Sequence, residues 1–444
     1  MSAQKNKTIF AVTLAVVAVF LLGGVSFTYF PTQQTQQQIL PSAAHVMWTA
    51  PTPPNIAFIV TGQFANNNTN PVYNYWSITK YLPMDTICIG SDGSVNTTNV
   101  PIKHQGDIYT LTGNIVNQTI LIQKDNITLD GLGYTLQGWS QTLGDQATAI
   151  SIPNRSNITI TDLNIQQFSE PICIQNSTNI TVKNSNITKG YPYAILLENS
   201  NQTRIIGNSF LGSMVQLDGS SNNQISNNTF SDSEIGITGY SGSNTNLITD
   251  NSFASVNEPI IFEGADSTIS QNTLVNGDYG ISVDGQIFDI SKNKIANYTT
   301  ALSVGSLNSQ IYENNVFNSS LAVLLNSNPY NLQTGNNTFY HNNFINYSQP
   351  LQTLSPSNYT DRWDNGKEGN YWSSYTGSDS NGDGVGDTPY VLAENCTDRY
   401  PLMEPYGTQL TNPQLGRFFF IIAALAALVG IIAVIAVFVR FRAK

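Results

Sequence analysis

The chain has 444 residues, of which 11% are charged and 40% hydrophobic. Soluble proteins average roughly 25% charged residues. Here Asn, Ser, Thr and Gly, all weak helix formers, take their place, which excludes a coiled coil, a highly charged disordered chain and an ordinary helical enzyme. The net charge is −11, yet six of the 18 basic residues (Lys5, Lys7, Arg417, Arg440, Arg442, Lys444) are terminal, so residues 31–416 hold twelve basic residues against 29 acidic ones. A body so acidic repels phosphate backbones, and nucleic acid is not an expected partner; cations are.

In chain order, residues 1–30 read as a signal-anchor or transmembrane helix: 8–30 carry no charge and follow Lys5 and Lys7. The small residues Ser42, Ala43 and Ala44 leave cleavage open. Residues 31–83, rich in Gln, Pro, Thr and Asn, read as a stalk or loosely ordered lead-in. Residues 84–138 read as an N-terminal cap and first coil, 139–344 as repeats, 345–407 as a C-terminal cap and 408–417 as a linker. Residues 418–439 are uncharged and long enough to span a bilayer, and 440–444 form a basic tail. Basic flanks at both extremes predict cytoplasmic termini and an extracellular body. Seventeen N-glycosylation sequons agree with that placement, at Asn67, Asn96, Asn117, Asn126, Asn154, Asn157, Asn176, Asn179, Asn186, Asn201, Asn227, Asn297, Asn318, Asn336, Asn346, Asn358 and Asn395. An Asn/Thr-rich chain also makes many by chance. Cys88, Cys173 and Cys396 match no zinc spacing and form no disulfide framework.

The repeats give the fold. Segments such as NITVKNSNI, QTRIIGNSF, NNQISNNTF and TNLITDNSF end at Ile187, Phe210, Phe230 and Phe253, and successive ends from Ile165 to Phe344 fall 20–28 residues apart. Between them lie alternating runs (ICIQ, AILLE, MVQLD, PIIFE, GISVD, ALSVG, AVLLN) whose period of two marks short strands with one face inward. The expected fold is all-β: a right-handed parallel β-helix of about 21–23 residues per coil, capped at both ends and flanked by two transmembrane helices. Asn208, Asn228, Asn251, Asn272, Asn293, Asn314 and Asn342 recur at one position, predicting a stacked amide ladder at a corner where Asn adopts the left-handed conformation.

The NITLDGLGYTLQG start, the N-x-I-x-x-N-x-I/F rungs and the tail RWDNGKEGNYWSSYTGSDSNGDGVGDTPYVL resemble archaeal NosD-like surface proteins. These are right-handed parallel β-helix proteins related in fold to pectate lyases and carbohydrate-binding proteins. The resemblance covers about residues 84–407 and implies a membrane-anchored envelope protein. It carries with it the possible role of a maturation or accessory factor in copper-site assembly, which does not follow from fold alone.

Four sets of residues could carry chemistry. Asp379, Asn381, Asp383, Val385 and Asp387 have the spacing of a calcium loop, with Gly384 at its sharp turn and Tyr390 where an EF-hand would place a carboxylate. Ca²⁺ is therefore the expected structural cofactor. Glu198, Asp218, Gly239, Glu263, Asp284, Gly305 and Asn326 form a column at strand ends, in which Glu198, Asp218, Glu263 and Asp284 could act as acid and base on a sugar. Acids also end strands on any solvated face, and Arg204, Lys292 and Lys294 do not visibly cluster with them. His45, His104, His341, the cysteines and the five methionines form no close ligand pair, so a soft-metal site is poorly supported. Trp363, Tyr371, Trp372 and Tyr375 suit either glycan stacking or plugging the open end of the helix. The reading that results is a membrane-anchored extracellular module, non-enzymatic, binding glycan or envelope partners. A polysaccharide lyase or glycoside hydrolase is the alternative.

Overall fold

A computed structural model describes residues 85–407, apart from 97–99, 139–146, 191, 241, 327–333 and 355–359, together with the backbone of 57–61 and 77–81. The two hydrophobic segments expected to cross a membrane, the basic tail, His45 and the sequons at Asn67 and Asn358 lie outside the described residues. Among the described residues no helix is long and apolar enough to span a bilayer. The chain divides into two compact units, residues 1–83 and 84–444. In the first, within the segment read as a stalk, Ala57–Thr61 pairs antiparallel with Ser77–Tyr81.

The second unit is a right-handed parallel β-helix of about nine turns. Each coil has three walls. In one coil the chain runs through Tyr193–Glu198 (wall 1), Arg204–Ile206 (wall 2) and Ser209–Leu211 (wall 3), then enters wall 1 again at Met214–Asp218. In later coils walls 3 and 1 form continuous strands, as in Ser252–Ala265 and Thr273–Gln286. Stacking begins early, for Asp85–Ile89 already pairs parallel with Gln118–Ile122. It continues past Phe344, where Tyr371–Trp372 extends wall 3.

Period-two alternation sends every second side chain inward. Ile172, Ile195, Val215, Ile237, Ile260, Ile281, Leu302 and Val323 stack in one buried column. Phe210, Phe230 and Phe253 stack in another, their ring centroids 4.7 and 4.8 Å apart. Gly239 belongs to this interior. It pairs with Leu217 and Phe262, and a Cβ there would lie 2.3 Å from the Phe262 ring. Its expected place in the acidic column is thus corrected: Tyr240, one residue on, takes that position between Asp218 and Glu263.

Each coil turns three corners, and each corner carries one or two residues with positive φ, two of them at several corners between walls 1 and 2, such as Asn176 and Asn179. At the corner between walls 2 and 3 these are Asp162, Asn184, Gly207, Asn227, Asp250, Gln271, Lys292, Glu313 and His341. The ladder asparagines follow immediately and have ordinary φ, so the left-handed residue is the one before the ladder and not the ladder residue itself. The ladder residue must instead turn its own N–H toward the next coil. Asn228 shows the pattern: its N–H and its Nδ2 donate to Asn251 Oδ1 at 3.0 Å each, and Nδ2 also donates to the Ile205 carbonyl at 2.8 Å. Its Oδ1 accepts two bonds from Asn208, so all four hydrogen bonds of the buried amide are made. The file runs through Asn272, Asn293, Asn314 and Asn342 to Asn370.

A second file lies between walls 1 and 2, where backbone N–H groups of Thr203, Asn223 and Asn246 donate to Asn223, Asn246 and Ser267 side chains. Both files end on aspartate. Asn370 donates its N–H to Asp398 at 2.8 Å, and Asn337 donates its N–H and Nδ2 to Asp361 at 2.9 and 3.0 Å. Trp372 Nε1 also donates to Asp398, at 2.9 Å. Burial pushes both carboxyls up to about 6, against hydrogen bonds that pull the other way.

Replacing Asn272 by Leu leaves the N–H of Asn251 unpaired in the core and removes one of the two bonds of its Nδ2. The expected loss is about 2–5 kcal/mol, read as a lower urea midpoint, while the exposed Asn186→Ala changes stability by less than ~0.5 kcal/mol. The caps predict a pH dependence. Because the folded pKa of Asp361 and Asp398 lies above the usual 3.8, their contribution is complete below that value and disappears as pH rises through about 6. Urea midpoints between pH 4 and pH 7 should therefore fall more steeply for the wild type than for the Asp361→Asn/Asp398→Asn variant.

Candidate functional site

Wall 1 is the chemically distinctive surface. Its central outward column is Cys173, Leu196, Gln216, Thr238, Ile261, Ser282, Ser303 and Leu324, one residue per coil. All of these except Ile261 and Ser282 are buried although they face away from the core. Carboxylates and tyrosines line the two edges of this low-exposure strip, the trough of wall 1.

One edge is the acidic column. Glu198 registers with Asp218, and Glu263 with Asp284, which registers in turn with Gly305. Burial, then Glu263, raises the pKa of Asp284, and its Oδ1 is buried with no hydrogen-bond partner. Gly305 makes that placement possible, since a Cβ there would lie 2.0 Å from Asp284 Oδ1. Gln175 Nε2 donates to Glu198 at 2.6 Å. The other edge adds acids absent from the column read from sequence. Glu170 is raised by burial and then by Glu198, and Glu258 by burial, then Glu234 and Asp278. The Tyr193 hydroxyl is raised by burial, then by Tyr240 and Glu170. Glu170 and Tyr193 open the strands EPICIQ and YAILLE. Alternation marks such positions only as strand starts, and the stacking of coils brings them beside the acidic column.

No Lys or Arg occurs in the wall 1 strands from Glu170 to Leu325 except Lys294, which lies on the wall 3 half of its strand. Arg204 is on wall 2, and Lys292 pairs with Glu313 at 3.7 Å at the corner between walls 2 and 3. The trough is thus acidic and polar, with tyrosines and no counter-charge. It suits a neutral or cationic polyhydroxyl ligand, and no Lys or Arg stands in its strands beside the carboxylates.

The C-terminal cap holds the calcium-type loop. Asp379 Oδ1 accepts the Gly382 N–H at 2.7 Å and its Oδ2 the Gly384 N–H at 2.8 Å; Asp383 Oδ1 accepts the Val385 N–H at 2.9 Å. Asp387 turns to Ser380, accepting its N–H at 2.9 Å and its hydroxyl at 2.6 Å, and these bonds lower its pKa. Among the described residues no three of His, Cys, Asp or Glu gather as a metal-holding group. The aromatic residues divide. Trp363 and Trp372 are 0% and 1% exposed and stack on Phe339 and Phe344 at 4.4 and 4.3 Å. They plug the end of the helix and offer no ring face to a sugar, which corrects their candidacy for glycan contact. Tyr371 and Tyr375 are half-buried, and the Tyr375 hydroxyl donates to the Thr388 carbonyl at 2.6 Å.

The sequons have a structural explanation for their number. Asn117, Asn126, Asn154, Asn157, Asn176, Asn179, Asn227, Asn297, Asn318, Asn336 and Asn346 all have positive φ at coil corners, and Asn395 has it in the hairpin turn of the cap. Several bond each other in exposed files, such as Asn318 to Asn297 at 3.2 Å and Asn179 to Asn157 at 2.7 Å. Of the others, Asn96 and Asn201 accept backbone N–H groups, and Asn186 is an exposed strand residue. Soft-metal ligands stay scattered. His104 stacks on Tyr109, and His341 bonds Glu368 at 2.7 Å and stacks on Tyr406. Cys88 and Cys173 lie on wall 1 and Cys396 in the cap, all as free thiols. A copper ion prefers thiolate, thioether or imidazole donors, and the described residues assemble no such set.

No curated protein matches the chain. Among solved structures, the catalytic domain of GH87 alpha-1,3-glucanase in complex with nigerose shares 15% identity at a TM-score of 0.44, over 69% of this chain and 71% of that one. DFA-IIIase from Arthrobacter chlorophenolicus A6 in complex with GF2 shares 10% at 0.41, over 53% and 70%. A variant of the glucanase domain is matched over only 63% of its own length. The family model described as periplasmic copper-binding protein (NosD) matches residues 85–265 and 257–377, which spans most of the solenoid just described, and the chain belongs to that NosD family of parallel β-helix proteins.

Proposed function

We propose that the protein is an envelope module, held by its hydrophobic segments with the β-helix on the outer side of a membrane, that binds a polyhydroxyl polymer along wall 1 without cleaving it. The observation that carries this reading is the trough itself. A file of outward residues is buried between carboxylates and tyrosines, with no basic residue on that wall. Carboxylates and amides hydrogen-bond sugar hydroxyls, tyrosine rings offer apolar faces, and a cationic amino sugar adds attraction. The absence of a Lys or Arg beside the acids speaks against lyase chemistry, and the scattered His and Cys residues speak against a copper role on the solenoid.

Full-length protein in detergent, screened against neutral and amino-sugar polysaccharides, should bind at least one of them. The Glu198→Gln/Tyr240→Ala variant should bind it about tenfold more weakly, equivalent to about 1.4 kcal/mol. Reducing-sugar release during the same incubation would favour the hydrolase reading, and an absence of binding across the panel would remove the glycan role.

The cap loop supports a second, structural reading. Asp379, Asn381, Asp383 and the Val385 carbonyl would supply hard oxygen donors, and the N–H bonds into Asp379 give the loop its tight turn. Asp387 would join by leaving Ser380. Calcium at millimolar concentration should raise the melting temperature of the wild type and not that of Asp379→Asn/Asp383→Asn. Calorimetry without binding heat at that concentration would end this reading.

A further inference from the structure

A groove of about 630 Å³ runs along the corner between walls 2 and 3 in the first coils, away from the trough. Its lining repeats coil by coil: a corner residue (Asp162, Asn184, Gly207, Asn227) and, two residues on, a strand residue (Asn164, Asn186, Ser209, Thr229). Elsewhere on the solenoid, exposed asparagines of neighbouring coils satisfy each other, as Asn297 does with Asn276 and Asn318 with Asn297. Inside the groove that pairing stops. Asn184, Asn186, Ser209, Asn227 and Thr229 are exposed and make no side-chain hydrogen bond to another described residue. Only Asp162 is charged, and its Oδ2 accepts the Thr161 hydroxyl at 2.6 Å. Gly207 opens the floor: a Cβ there would meet Asn184 Oδ1 at 3.3 Å.

We propose that this groove is a second binding site, for a neutral linear glycan lying parallel to the helix axis. Coil-to-coil pairing already uses the backbone groups of these strands, so a ligand must be recognised by side chains, and a peptide cannot add as a strand. The available donors and acceptors are neutral amides and hydroxyls, which match sugar hydroxyls and select neither an anionic nor a cationic polymer. Strands in a sheet are about 4.8 Å apart, so four coils present these groups over about 14 Å. That repeat is close to the rise per sugar of an extended β-linked chain. The groove ends where the corner column becomes charged, at Asp250, Lys292 and Glu313. The inference extends the glycan-binding reading to a second surface and can fail separately from it.

The test is calorimetry of the full-length protein in detergent with cellohexaose and laminarihexaose. Wild type should bind at least one. Gly207→Asn places in the groove the residue that the neighbouring corners already hold at positive φ, and should weaken binding about tenfold or more, as should Asn186→Ala/Thr229→Ala. The second variant changes only exposed side chains, so it keeps the test valid if the first does not fold. Glu198→Gln/Tyr240→Ala, titrated alongside, reports hexasaccharide held at the wall 1 trough. No binding of either hexasaccharide, equal affinity in the groove variants, or loss only in the wall 1 variant would overturn the groove, the last while sparing the trough. A covalent sugar on Asn186 or Asn227 in the purified protein, found by mass spectrometry, would also overturn it, because the groove would then be filled by the protein's own glycan.

Discussion

The structure depends on a buried side-chain amide that makes all four of its hydrogen bonds only when the next coil is in register. Each ladder asparagine takes the N–H and Nδ2 of its predecessor and passes its own to its successor, with Nδ2 to Oδ1 distances of 2.8–3.1 Å from Asn208 to Asn370. The sequence separations between partners run from 20 to 28 residues. The distances hardly change, so every difference in coil length is expelled into the loops. Leaving a buried amide unpaired costs more than looping out several residues, because loop entropy grows slowly with length.

This division of labour frees the outer surface. Aliphatic columns and amide files hold the stack from within, and a left-handed corner residue turns each wall. Outward side chains can then vary without consequence for the fold. Wall 1 collects carboxylates and tyrosines, while the corner between walls 2 and 3 stays neutral in its early coils and becomes charged later. One scaffold thus presents two surfaces of different chemistry on parallel tracks, both running along the axis.

The C-terminal end is closed by the same physics. An aspartate can accept the last N–H groups of a ladder but has no N–H to offer onward, so Asp361 and Asp398 stop the two files. Trp363 and Trp372 continue the inner aromatic columns and cover the last coil, with Asp398 taking the Trp372 indole N–H. The tail residues that stand out most in the sequence are therefore mainly devoted to the cap.

The repeat period, the inward aliphatic columns and the recurrence of Asn at one position were legible in the sequence, because each follows from local alternation and from counting. The second file, through Asn223, Asn246, Ser267 and Asn337, was not, because Asn and Ser substitute for one another wherever a single oxygen must accept an N–H. The placement of Gly239 inside and Tyr240 in the acidic column was decided by a one-residue shift that the partner strands impose. Glu170 and Tyr193 come under the influence of Glu198 only because neighbouring coils stack. The sequence by itself determined a stack of coils and which residues turn inward, since these depend on neighbours along the chain. Only the tertiary structure decided which outward groups share a trough and which amides remain free, since those depend on residues some twenty positions away brought within one strand spacing.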